Sequence, residues 1–205
     1  MECALAQREG VRMARRRVTT VQELVDAAAR VFQRVGYVDA TIADIAAEAG
    51  VSKPTVYQYV DSKRWLLETI VEQVIYPLRH NIDQILTNDD PPRDKLVAFI
   101  RVHVESAITY RTYYAVLTAD QHQLSPQALR NYRSWARDVN HATEKLLHKC
   151  VESGVIRDDL DIGISAHLLN GMLLSIARWF HTTGRVPAEQ LVDQVLGMLS
   201  GYILD

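Results

Sequence analysis

Within the run from Thr41 to Lys63, TIADIAAEAGVSKPTVYQYVDSK, several side chains have the type and spacing to read a DNA duplex. Thr55, Gln58 and Tyr59 stand at i, i+3 and i+4, which puts them on one face of a helix. A glutamine can make two hydrogen bonds to adenine, and a threonine can offer its methyl group to thymine. Lys53 and Tyr57 lie four apart on an adjacent face and suit phosphates, which position a protein without specifying sequence. Lys63, at the start of another helix, and the bare N–H groups of that helix end also suit a phosphate. Upstream, Arg12, Arg15, Arg16 and Arg17 form a basic arm that could follow phosphates or enter a minor groove. Taken alone, the arm is equally a solvated tail. Catalytic chemistry is poorly represented. The sequence has no G-x-S-x-G, Walker loop, H-E-x-x-H or glycine-rich dinucleotide turn. His141 and His148 share a helical face but lack an evident third metal ligand, so neither a metal nor a cofactor is expected.

These side chains need short, tightly capped helices to present them. Thr41 and Asp44 have capping-box spacing, with Asp in place of the usual Glu or Gln. Ile42, Ile45, Ala46 and Ala49 follow as a small apolar face, and Gly50 supplies the stop. Ser52 restarts the chain as a helix N-cap with Pro54 in the first turn. Val51, Val56 and Val60 can then face inward while the polar and aromatic residues face out. This pattern predicts a helix-turn-helix whose second helix can enter a major groove. A preceding helix with the apolar stripe Leu24, Ala27, Ala28, Val31, Phe32 and Val35, capped by Thr19 or Thr20 and stopped at Gly36, braces it.

This stretch resembles the TetR family of bacterial transcriptional regulators. The matching residues are Leu24–Ala27–Ala28–Phe32, Gly36–Tyr37, Thr41–Ile42–Ile45–Ala46, Ala49–Gly50–Val51–Ser52, Thr55–Tyr57–Tyr59 and Ser62–Lys63. They cover about the first third of the chain; the remainder matches in helicity and length. The resemblance implies that Tyr57 and Tyr59 contact the DNA backbone and pack the helix, and that Lys63 anchors a phosphate. The expected DNA-binding set is Arg15, Arg16, Arg17, Thr41, Ser52, Lys53, Thr55, Tyr57, Gln58, Tyr59 and Lys63.

The 205 residues are 48% hydrophobic and 23% charged, ordinary for a soluble globular protein. A net charge of −2 excludes bulk attraction to polyanions, so any nucleic-acid surface must be local. Two cysteines, Cys3 and Cys150, are too few and too distant for a disulfide framework or zinc site. With no signal-peptide pattern, and with His167, Asn170 and Arg178 interrupting the apolar stretch 162–180, a cytoplasmic protein without a membrane partner is expected.

The expected fold is all-α with about nine helices: a flexible basic arm over 1–18, a DNA-binding head over 19–64, and an effector-binding and dimerisation body over 65–205. A fourth helix, capped by Asp61 or Ser62, joins head to body, and Pro77 should kink or end it. Leu96, Phe99, Ile100, His103, Ala107 and Ile108 form an inward stripe. A short segment carrying Tyr110, Tyr113, Tyr114 and Leu117 precedes a loop over 119–124. Ser125 caps and Pro126 opens a long helix ending at Gly154. Asp161 caps a helix from Ile162 to about Thr182, and Pro187 opens the last.

Candidate effector contacts in the body are Phe99, His103, Tyr110, Tyr113, Tyr114, Tyr132, Trp135, Asn140 and Trp179. An apolar cavity with a few polar groups between bundle helices is the usual small-molecule site. Arg130, Arg133 and Arg137 form a basic row that could meet the phosphates of an acyl-CoA-type effector, although a solvated face is the simpler reading. The tract LNGMLLSIARWF is similar to that of TetR-type regulators of lipid and steroid breakdown, which respond to CoA thioesters. The helix after Ile162 is apolar on more than one face, and Gly197 and Gly201 stand four apart near the C-terminus. The expected dimer interface is Leu168, Met172, Ile176, Val195, Gly197, Met198, Gly201 and Tyr202. The resemblance implies a four-helix bundle there.

The reading is therefore a ligand-responsive DNA-binding homodimer acting as a repressor on a palindromic double-stranded operator. An activator of the same fold, or an all-helical small-molecule-binding protein or enzyme with a purely structural helix-turn-helix, remains open.

Overall fold

The computed structural model describes residues 20–181, 184, 186–199 and 201. Helix α1 (Val21–Val35) begins where the Thr20 hydroxyl accepts the amide N–H of Glu23. Its apolar stripe, including Leu24, Ala28 and Phe32, is buried. Helix α2 (Ile42–Ala49) carries the complete capping box: Thr41 Oγ1 accepts the Asp44 amide at 3.2 Å, and Asp44 Oδ2 accepts the Thr41 amide at 2.9 Å. These hydrogen bonds to Thr41 hold the Asp44 carboxyl below its ordinary range. Gly50 ends the helix with φ of 70°, a left-handed conformation that glycine adopts without a Cβ clash. Arg30 and Arg34 of α1 both reach Glu48 of α2, at 2.7 and 3.2 Å, and tie the two helices across their surface.

Helix α3 (Lys53–Tyr57) is only five residues long and is capped by Ser52. Gln58 and Tyr59 continue it as a turn, through Gln58 N–H to Thr55 O and Tyr59 N–H to Val56 O. Val51, Val56 and Val60 are buried as expected. Of the two caps considered for the next helix, Ser62 serves, accepting the Trp65 amide at 3.0 Å.

That helix, α4 (Lys63–Thr87), runs 25 residues through Pro77, so of the two outcomes expected of that proline the helix end is ruled out. Proline deletes one backbone hydrogen bond there. Burial of Val74, Ile75, Leu78 and Ile82 on either side keeps the helix continuous. Helix α5 (Pro92–Thr109) buries Leu96, Phe99, Ile100, His103 and Ala107. Helix α6 (Arg111–Asp120) runs further than the sequence suggests, and only a single 3-10 turn at Gln121–Gln123 separates it from α7 (Pro126–Glu152). Helix α8 (Ile162–Trp179) is capped by Asp161, and α9 (Ala188–Met198) follows Pro187. The described residues contain helices and turns and no strand. No helix among them is long and apolar enough to cross a membrane.

Candidate functional site

The side chains expected to read DNA lie on the surface of the helix-turn-helix. Lys53, Tyr57, Gln58 and Tyr59 are exposed, and Thr55 is half-buried. Tyr57 and Tyr59 expose 53% and 43% of their surface, so neither belongs to the core. Since α3 stops at Tyr57, Gln58 and Tyr59 project from its C-terminal turn and not from its middle. The Ser52 and Thr55 hydroxyls lie 2.7 Å apart and hydrogen-bond to each other, which fixes the start of the segment. Thr41 is occupied by its own cap. Arg15, Arg16 and Arg17 lie outside the described residues.

The expectation for Lys63 needs correction. Its ammonium donates to the carbonyls of Tyr37, Val38 and Ala40 at 2.7, 3.1 and 2.7 Å, and sits 4.5 Å from the centre of the Tyr37 ring. Three acceptors exhaust the three ammonium donors, leaving none for a phosphate. Lys63 instead ties the loop between α1 and α2 to the start of α4. Any phosphate contact at this corner then falls to the backbone N–H groups of α4. Lys63→Met should unpair those carbonyls at a cost of about 2–3 kcal/mol. That corresponds to a melting temperature lower by roughly 5–10 °C. Differential scanning fluorimetry checks this; an unchanged midpoint would remove the role.

The body encloses a cavity of about 590 Å³ between α4, α5, α6, α7 and α8. Its buried end is formed by Leu78, His103, Ala107, Tyr114, Leu117 and Leu173. Its open end is formed by exposed Ala136, Arg137, His141, His167, Gly171 and Leu174. Tyr132, Trp135, Val139, Asn140, Glu144 and Asn170 line the walls. On one wall, Asn170 Nδ2 donates to Asn140 Oδ1 at 3.2 Å, Asn140 Nδ2 to Glu144 Oε1 at 2.8 Å, and the Thr143 hydroxyl to Asn170 Oδ1 at 3.1 Å. This wall is polar and largely satisfied; the buried end is apolar apart from His103 and the Tyr114 hydroxyl. That hydroxyl pairs with Ser106 at 3.1 Å, and burial pushes its pKa up to about 12.

Of the expected effector contacts, the cavity gathers His103, Tyr114, Tyr132, Trp135 and Asn140. It does not gather the rest. Phe99 is buried behind His103, with ring centres 4.2 Å apart. Tyr113 points to the head, where its hydroxyl donates to Asp26 and accepts from Gln22. Tyr110 packs beside Tyr113, and Trp179 is exposed on α8. Of the basic row, only Arg137 reaches the cavity. The α8 contribution, from His167, Asn170, Gly171 and Leu174, is absent from the expected set, because His167 and Asn170 read only as breaks in an apolar stretch. The i, i+3, i+4, i+7 spacing of the four is the signal that could have found them.

His103 is buried and neutral. Its Nδ1 lies 2.8 Å from the Phe99 carbonyl, and desolvation lowers its pKa to about 4. Below about pH 6.5 the unfolded chain binds a proton that the folded chain refuses, so stability falls as pH drops from about 6.5 toward 4. The loss attributable to this group is about 2 kcal/mol at pH 5. Urea unfolding at pH 7 and pH 5 should show that difference shrinking by about that amount in His103→Gln; an identical pH difference would refute it.

The expected dimer face divides. Ile164, Leu168 and Trp179 of α8 expose 61%, 69% and 57% of their surface, and Met198 of α9 exposes 64%. Gly171 and Gly197 are also exposed, and a Cβ on either would meet none of the described residues within 4 Å. Met172 is half-buried. Ile176 and Val195, at 1% and 7%, belong instead to the chain's own core, because they lie on the inward faces of their helices. Gly201 lies beyond α9 with φ of 83°, so a turn accounts for it without a close helix contact. Tyr202 is outside the described residues. Among those described, no three His, Cys, Asp or Glu side chains group to hold a metal.

Comparison with known proteins agrees with this architecture. Residues 24–70 match the sequence model described as bacterial regulatory proteins, tetR family. Residues 89–203, more than half of the chain, match the tetracyclin repressor-like C-terminal domain. The HTH-type transcriptional repressor KstR2 of Mycolicibacterium smegmatis is 26% identical over 183 residues, covering 88% of this chain and 89% of that protein. Among solved structures, the ketosteroid transcriptional regulator KstR2 of Mycobacterium tuberculosis superposes with a TM-score of 0.84 at 20% identity, covering 95% of this chain and 100% of that one. AibR, solved in complex with isovaleryl coenzyme A and operator DNA, superposes with a TM-score of 0.75 at 21% identity, covering 89% and 98%.

Proposed function

Because this chain belongs to the TetR family of bacterial regulatory proteins, we propose that it is a cytoplasmic homodimeric repressor released from a palindromic operator by an apolar, acyl-CoA-like effector. The head, residues 19–64, holds DNA through Lys53, Thr55, Tyr57, Gln58 and Tyr59, helped by the arginine arm. The body, residues 65–205, binds the effector and pairs with a second copy through the exposed face of α8 and α9.

One observation carries the reading. Tyr113 and Tyr114 are neighbours on α6 and face different parts of the molecule. Tyr114 lines the cavity; Tyr113 clasps Asp26 and Gln22 of α1. Gln22 in turn exchanges hydrogen bonds with Gln73 of α4 at 2.6 and 2.9 Å, and Leu78 of α4 lines the same cavity. A ligand that moves α6 or α4 therefore moves the helix bracing α2 and α3. Two heads fit successive major grooves only near about 34 Å apart or multiples of it, so a small tilt in each chain changes operator affinity. The ligand acts only through its different affinity for the two tilts.

The apolar buried end suits an acyl or ring body, and Arg137, His141 and His167 at the mouth suit an anionic head. The experiment is fluorescence anisotropy on the protein's own promoter fragment, with CoA thioesters added from short-chain to polycyclic. Release by at least one thioester, about 5–150-fold in affinity, is expected. If none alters operator affinity at saturation, the effector assignment is wrong. Reporter output in a deletion strain separates repression from activation: it rises if the protein represses.

A further inference from the structure

Burial and hydrogen bonding leave the His103 ring with one polar atom unspent. The Phe99 carbonyl can only accept, so the nitrogen 2.8 Å from it, Nδ1, carries the ring proton. In the neutral ring Nε2 is then a pure acceptor. His103 is 92% buried and lines the cavity, and among the described residues no other hydrogen bond engages its ring. Around this end stand Leu78, Ala107, Leu117 and Leu173, which offer no donor, and Tyr114, whose hydroxyl shares a hydrogen bond with Ser106 that either can donate and makes none to His103. A hydrocarbon seated there would strand a buried acceptor, which is costlier than leaving it to water.

We propose that the effector's apolar body carries a hydrogen-bond donor, a hydroxyl or an N–H, that meets Nε2 of His103 at the buried end of the cavity. This rests on the cavity being the effector site and adds a chemical requirement to it. An acidic group at this end is disfavoured, because the lowered pKa of about 4 keeps the ring uncharged near neutral pH. His103 thus selects between otherwise similar ligands: those with a hydroxyl on the ring or chain, and those without. Sites built around such a hydrogen bond discriminate more strongly than apolar ones, because the wrong ligand leaves the protein group unpaired.

Isothermal titration of the full chain with β-naphthol and its methyl ether tests the requirement, since both keep the aromatic body and oxygen but only naphthol donates. The wild type should prefer naphthol by about tenfold. His103→Phe should reduce the preference to within about twofold, and His103→Gln, whose amide oxygen accepts, should restore part of it. If His103→Phe fails to fold, the nitrogen NMR resonance of His103 Nε2 in the wild type reads the same contact. It should shift with naphthol and stay in place with the ether. Equal affinity in the wild type, an unchanged preference in a folded His103→Phe, or an unmoved resonance overturns the requirement and leaves the effector site standing. Failure of both probes to bind overturns the effector site and the requirement together.

Discussion

Leu168→Glu is expected to split the protein into monomers and lower operator affinity by two orders of magnitude or more. Ile164, Leu168 and Trp179 lie on one face of α8, with Gly171 and Ser175 between them. The three large residues are mostly exposed in the single chain. Contiguous apolar surface of this kind marks an interaction site. Fully covering each large side chain is worth about 1.5–3 kcal/mol. In a symmetric pair every contact counts twice. Glutamate at Leu168 would remove that gain and bring two carboxylates into the seam. A monomer then meets only half an operator and loses the roughly 100–10,000-fold advantage of linked heads. Sedimentation velocity and anisotropy on the same samples decide the matter. A Leu168→Glu protein that remains dimeric would discard the α8 interface; a monomer that binds with wild-type affinity would discard the paired-head account.

Tyr113→Phe should leave DNA binding near normal and remove most of the effector's control over it. The hydroxyl joins α6 to Asp26 and Gln22 of α1. Burial, and the carboxylate of Asp26 beside it, push its pKa up, so it stays a neutral donor at all working pH values. The phenyl ring of the variant keeps the packing with Tyr110 and loses only the clasp. Coupling between two sites is usually about 1–3 kcal/mol, a 5–150-fold effect on affinity. With the thioester that releases the wild type, the variant's ratio of affinities with and without ligand should fall toward one. If the ratio is unchanged, coupling runs through another contact, such as Leu78 on α4.

The head was legible in the sequence because its signals are local. Caps, a glycine with positive φ and three valines at short spacing each specify a few neighbouring residues. Thr20, Thr41, Ser52 and Ser62 all cap as their types suggest. Lys63 was misread because its partners, the carbonyls of Tyr37, Val38 and Ala40, lie more than twenty residues away in the chain. Pro77 does not end α4, because the loss of one hydrogen bond is local, whereas the burial of Ile75, Leu78 and Ile82 that outweighs it is tertiary. In the body, a tyrosine's type does not reveal its direction. Tyr113 and Tyr114 look alike in sequence, and only the packing of α6 between α1 and the cavity separates them. The same holds for α8, where apolar residues on all sides hid which of Leu168 and Ile176 turns outward.

The most direct measurement is a binding titration of the purified full chain against its own promoter fragment and a scrambled fragment of equal length at moderate salt. Saturable binding to the promoter with an even number of chains per site is expected. So is a preference over the scrambled fragment that weakens in Gln58→Ala, by about 1–3 kcal/mol for a base contact. Equal affinity for the two fragments, or wild-type selectivity after Gln58→Ala combined with Tyr57→Ala, would contradict DNA reading by this head.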